Sequence, residues 1–143
     1  MADLYDTDVL QWSEQQGDLL RRLARGEKVN QQIDWENVAE EVESVGRSQL
    51  SSVRSLLVQA LIHDLKADGW PQSREVPHWR AEARGFRYDA AEAFTPSMRQ
   101  RLDLTALYRE ALRRLPDIID GQPARSLPNS CPVTLDEMLN EGQ

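Results

Sequence analysis

Apolar residues recur at every third or fourth position along most of the chain, the spacing of one helix face, and no segment alternates strictly enough to predict a strand. The first predicted helix runs from about Asp8 to Arg25, with Val9, Trp12, Leu19, Leu20 and Leu23 on one face. Asp6 or Thr7 is placed to cap it, and Gly26 lies just past its end. Arg21, Arg22 and Arg25 occupy its last turn, where cations complement the helix dipole. Asp34 is a good N-cap for the second helix, and Ile33 with Val38 are spaced as a hydrophobic staple. The following stripe is Trp35, Val38, Ala39, Val42, Val45, Gly46, Val53, Leu56, Leu57, Ala60 and Leu61. It stays in phase to about Asp68, which predicts one long helix, with any bend falling between Gly46 and Ser52. Gly69-Trp70-Pro71 ends it.

The third helix is expected from Pro77 to Phe94, with Trp79, Ala83, Phe86, Ala90 and Ala93 facing inward. Thr95 and Pro96 open a short turn. The fourth helix is expected from Asp103 to Asp120, with Leu104, Leu107, Tyr108, Ala111, Leu115 and Ile118 on one side and Gly121 as its C′ residue. Three prolines make residues 122–133 an extended tail. Thr134 and Glu137 then form a capping box, stapled by Val133 and Met138, for a short last helix held by Leu135, Met138 and Leu139. The expected architecture is all-α: one helical domain over residues 1–143, with about four main helices in a bundle over 1–121 and a tail carrying a short C-terminal helix.

A length of 143 residues is room for one domain, and 40% hydrophobic with 29% charged residues is a globular balance. The net charge of −7 argues against coating nucleic acid or binding an anionic membrane. Cys131 is the sole cysteine, so no intrachain disulfide can form. The acidic start, Met1 to Asp6, lacks the basic and apolar regions of a signal peptide. The longest uncharged apolar stretch, Ser55–Ile62, is far below the roughly 20 residues of a membrane span, so a cytoplasmic protein is expected.

The stretch Trp35-Glu36-Asn37-Val38-Ala39-Glu40-Glu41-Val42-Glu43-Ser44-Val45-Gly46-Arg47-Ser48 closely resembles the signature of the bacterial, largely cyanobacterial and proteobacterial family called domain of unknown function 29. Other pieces fit in order: Tyr5-Asp6-Thr7-Asp8, His63 and Lys66, Trp79-Arg80, Pro96-Ser97-Met98-Arg99, Tyr108 with Ala111, Leu127-Pro128, and Cys131-Pro132. The resemblance covers nearly the whole chain. It implies a helical fold and brings no assigned activity. Asp64 departs from the pattern, standing where the family's position looks apolar. A carboxylate there must be paired, neutral or near an exposed helix end.

Residues 34–43 hold five acids and no base. Glu36, Glu40 and Glu43 share one helix face and flank the apolar stripe. Clustered carboxylates suit a divalent cation such as Mg or Mn, which would make the alternative a metal-dependent hydrolase of a small phosphorylated substrate. The second acidic pair such an enzyme needs is Asp64 and Asp68, and an unbroken helix sets Asp64 about 30 Å from Glu43. The leading reading is therefore not an enzyme and needs no cofactor. Arg80, Arg84 and Arg87 repeat the four-then-three spacing of the glutamates, and Arg47 stands four residues after Glu43. Two such stripes can zip helices together, within one chain or between two. The expectation is a protein-association module, acting on itself or on a partner protein. His63 and Asp64 form a candidate polar site, with His63 read first as a satisfied helix-end histidine. His78 is expected exposed or stacked on Trp79. Cys131 reads as a small buried anchor rather than a nucleophile. Arg80, Arg84 and Arg87 beside Trp79, Phe86 and Tyr88 are a nucleic-acid cue, but Trp79 and Phe86 lie on the inner face, which disfavours that partner.

Overall fold

The computed structural model describes residues 3–140. The all-α expectation is met. The helices are α1 (Leu4–Thr7), α2 (Val9–Ala24), α3 (Trp35–Gly69), α4 (Val76–Ala93), α5 (Leu104–Arg113) and α6 (Leu135–Asn140), with 3-10 turns at Asn30–Gln32 and Pro96–Arg101. Two short strands, β1 (Ile118–Ile119) and β2 (Gln122–Pro123), pair antiparallel. No helix among the described residues is long and apolar enough to cross a membrane. Residues 1–2 and 141–143, the ends of the expected domain, lie outside the described residues.

The contacts gather into two compact units, Met1–Arg47 and Ser48–Gln143. The first unit closes locally. Asp8, rather than Asp6 or Thr7, caps α2 by accepting from the Gln11 amide at 3.1 Å. Leu19, Val29 and Ile33 form its small core, with Leu20, Leu23 and Val38 packed against them. Asp34 ties the start of α3 to α2: its carboxylate accepts from Trp12 Nε1 at 3.0 Å and Asn37 Nδ2 at 2.8 Å. Its backbone N–H donates to the buried Gln16 side chain at 2.7 Å. These contacts hold Asp34 below the usual carboxylate range, chiefly the hydrogen bonds from Asn37 and Trp12. Tyr5 donates to Glu41, and that bond to a carboxylate pushes the phenol up to about 12.

α3 runs unbroken for 35 residues, through Gly46 and Ser52. In the second unit, Leu50, Val53, Leu57, Val58, Leu61 and Leu65 of α3 build the main core with Ala90, Met98, Leu102, Leu107, Tyr108, Met138 and Leu139. A smaller cluster joins Ala67, Trp70 and Trp79. The tail is pinned at defined atoms. Tyr108 donates its hydroxyl to Pro128 O at 2.6 Å, Trp70 Nε1 donates to Gln122 O at 2.8 Å, and Arg125 N donates to Gly69 O at 3.0 Å. Thr134 caps α6 through the Glu137 amide at 3.1 Å.

The fourth predicted helix is shorter than expected. Asp103 caps α5 at Ala106, but the helix ends at Arg113 rather than Asp120. Pro116 lacks an amide proton and cannot continue the ladder. Asp120 and Gly121 then take positive φ, 53° and 75°, as a two-residue hairpin turn requires, so Gly121 turns β1 into β2 instead of ending a helix.

Candidate functional site

Two regions carry the residues singled out from the sequence, one in each unit.

In the first unit, Trp35, Val42 and Val45 are 51%, 68% and 65% exposed, and Val9 and Leu10 of α2 are also bare. The sequence pattern placed Val9, Trp35, Val42 and Val45 on inner faces. The small core of this unit ends at Val38, so the next apolar turns of α3 have no cover within it. Trp35 spends its indole N–H on Asn30 O at 2.9 Å and leaves its ring half exposed. At about 100° per residue, Val42 and Val45 share one side of α3 while Glu36, Glu40, Glu43 and Arg47 lie on roughly the opposite side. The glutamates therefore do not flank this apolar face. Arg47 pairs with Glu40 and with Glu43, the latter at 3.8 Å, all exposed. Among the described residues, no group of three or more His, Cys, Asp or Glu is placed to hold a metal ion, so Glu36, Glu40 and Glu43 are not gathered around a common centre.

In the second unit, α3 and α4 meet through charge. Arg80 reaches Asp64 at 2.7 Å and Asp68 at 2.5 Å, and Arg87 pairs with the other oxygen of Asp64. Aspartates one turn apart on α3 thus match arginines on α4 across the tight turn at residues 70–75. Asp64, the carboxylate that interrupts the apolar stripe, is held by two guanidiniums. Arg84, on the same row of α4, is exposed and has no carboxylate partner among the described residues. These groups border a cleft of about 520 Å³, completed by Leu61, Leu65, Tyr108, Pro132 and Val133.

The other singled-out groups make local contacts. His63 Nδ1 lies 2.7 Å from Gln59 O, and its ring sits against Phe86 at 5.2 Å. Asp64 turns to the arginines, so the adjacent pair His63 and Asp64 serves separate contacts. His78 is exposed with Glu82 3.7 Å from Nε2. Cys131 is half-buried and its thiol is pushed up, chiefly by burial, which keeps it protonated at neutral pH. Burial likewise raises the Tyr108 phenol. Sequence reasoning missed the Asp68–Arg80 pair and the cleft. The i, i+4 spacing shared by Asp64/Asp68 and Arg80/Arg84 was the available signal.

A helical chain with a capped, signature-bearing long helix and an ion-paired cleft is thus defined by its own geometry. The sequence profile described as Domain of unknown function DUF29 matches residues 4–142, and the chain belongs to that family. It is similar to a crystallised α-helical protein of unknown function from Rhodospirillum rubrum, with 27% identity and a TM-score of 0.66 over 99% of this chain and 92% of that one. No curated protein matches the chain.

Proposed function

We propose that the protein is an association module whose first unit docks on a basic, apolar-lined surface of another protein. The observation that carries this is the bare apolar side of α3, Trp35, Val42 and Val45, on a strongly acidic unit. Residues 1–47 hold eleven acids and five bases, a net −6, whereas residues 48–143 hold thirteen acids and twelve bases, a net −1. Nearly all the charge of the chain thus sits on the unit with the uncovered side chains. Apolar surface supplies affinity when covered, and the surrounding field selects the partner. A second copy of the same unit would bring like charge against like charge, which favours a partner of opposite sign over self-association.

The test is calorimetric titration with two designed amphipathic helical peptides, one of leucine and lysine and one of leucine and glutamate. Serine and valine have similar helix propensity, so Val42→Ser with Val45→Ser removes apolar area while keeping α3. The lysine peptide is expected to bind, and the double variant to bind about tenfold or more weakly. Equal binding of both peptides, or no change in the double variant, overturns the reading. Concentration-dependent dimerisation abolished by the same variant would replace the partner by a second copy.

A further inference from the structure

A second cleft of the second unit, of about 800 Å³, lies between the turn that follows α3 and the β hairpin. We propose that it binds a small zwitterion of the amino-acid class, a free amino acid or a dipeptide. Two opposite charges line it, Asp120 in the hairpin turn and Arg125 just after β2. Neither side chain has an ion pair or hydrogen bond among the described residues, with the other or with any third group. The charges on α3 and α4 behave differently, for Asp64 and Arg80 close directly on each other at 2.7 Å. The walls around Asp120 and Arg125 are tied at two points. Trp70 Nε1 donates to Gln122 O at 2.8 Å, and Arg125 N donates to Gly69 O at 3.0 Å. Walls fixed in advance lose little freedom when a ligand arrives.

An ammonium brings three donors to a carboxylate such as Asp120, and a carboxylate accepts two parallel bonds from the fork of an arginine such as Arg125. A simple anion would suit Arg125 and meet Asp120 as a like charge, and a simple cation would do the reverse. A molecule carrying both charges satisfies both groups. Pro71, Ile119 and Pro123 supply apolar lining for its body. Trp70 adds ring surface rather than a polar group, since its N–H is spent on Gln122 O. Gln72 offers a side-chain amide with no partner among the described residues, suited to a carboxylate or a peptide bond. A volume of about 800 Å³ lies within the range of small-molecule sites and leaves room for a second residue.

Leucine and leucylleucine are the probes, titrated into the full chain and followed by amide chemical shifts and the Trp70 indole N–H. N-acetylleucine, which lacks the ammonium, and leucinamide, which lacks the carboxylate, are the comparisons. The expected result is saturable shifts over residues 69–73 and 119–125 with a zwitterion, and binding about fivefold or more weaker with each comparison. Saturation by leucine identifies a free amino acid as the occupant, and saturation by leucylleucine alone identifies a dipeptide. Asp120 stands at φ 53°, a conformation asparagine also adopts readily, so Asp120→Asn keeps the hairpin. It should weaken the zwitterion without weakening N-acetylleucine. Arg125→Gln keeps the backbone bond to Gly69 O and should weaken the zwitterion without weakening leucinamide. Both residues are exposed, so each variant should keep the parent melting curve, which separates lost binding from lost fold. Failure of both zwitterions to saturate, equal binding of N-acetylleucine or leucinamide, or full affinity in either variant overturns the proposal.

Discussion

Replacing Asp64 by alanine tests whether the α3–α4 ion pairs hold the second unit. Its side chain is 16% exposed and that of Arg87 is 11% exposed, so the pair is largely withdrawn from water. Removing one member of a buried pair costs about 3–5 kcal/mol, because the other charge keeps its desolvation penalty. The residual exposure of both groups and the retained Asp68–Arg80 contact bring the expected loss to about 2–3 kcal/mol. Asp68, at 42% exposure, meets an Arg80 that is 43% exposed. Its alanine variant should lose less than about 1 kcal/mol. The assay is urea unfolding at pH 7, read by Trp70 and Trp79 in a background with Trp12 and Trp35 changed to phenylalanine. Midpoints are compared at equal slope, so that changes in the unfolded state do not intrude. Equal effects of Asp64→Ala and Asp68→Ala would refute the burial argument.

Glycine positions separate backbone entropy from packing. Gly46→Ala and Gly85→Ala add a methyl in mid-helix with nothing within 4 Å and should each stabilise by about 0.5–1 kcal/mol in thermal melts. Gly69→Ala should destabilise, since its Cβ would stand 3.2 Å from Ala124 Cβ and press on the tail contact at Arg125. The first unit should carry an acid limb. Asp34 has a folded-state pKa below its unfolded value of about 3.9, so its contribution is present above that value and is lost as pH falls through the lowered one. Asp34→Asn should flatten the stability of α2 and the start of α3 below about pH 4, as read by Trp12 fluorescence. Tyr5 has the opposite sign. Its folded pKa is raised to about 12, so its contribution holds below about 10 and fades as pH rises toward the folded value, and Tyr5→Phe should remove that alkaline limb.

Local rules made much of the fold readable. Asp34 and Thr134 were legible as caps because an N-cap needs only a short acceptor at the right place, and both accept amides three residues on. The unbroken length of α3 was legible because one apolar phase persists through Gly46. The hairpin at Asp120-Gly121 was not, since two-residue strands are too short to show alternation and a glycine after a helix-like run reads as a helix end. Burial was the weaker inference. Periodicity tells which side of a helix is apolar, whereas cover depends on what packs across it, and Val42 and Val45 have no cover within their own unit. The candidate site was readable in part. Arg80, Arg84 and Arg87 were chosen for their spacing, but the same spacing fits two acidic sets. The short turn at residues 70–75, which folds α4 back on the end of α3, makes Asp64 and Asp68 the partners of Arg80 and Arg87. Asp64 was conspicuous as a charge in an apolar stripe, and that conflict marked the ion-paired wall of the cleft.

The most direct test of the association reading is to map the leucine–lysine peptide onto the protein by amide chemical shifts at low ionic strength. The account predicts shifts confined to residues 9–10 and 35–47, shrinking as salt is raised and absent in Val42→Ser with Val45→Ser. Shifts centred on Arg80, Arg84 and Arg87 instead, or none around Val42 and Val45, would contradict it.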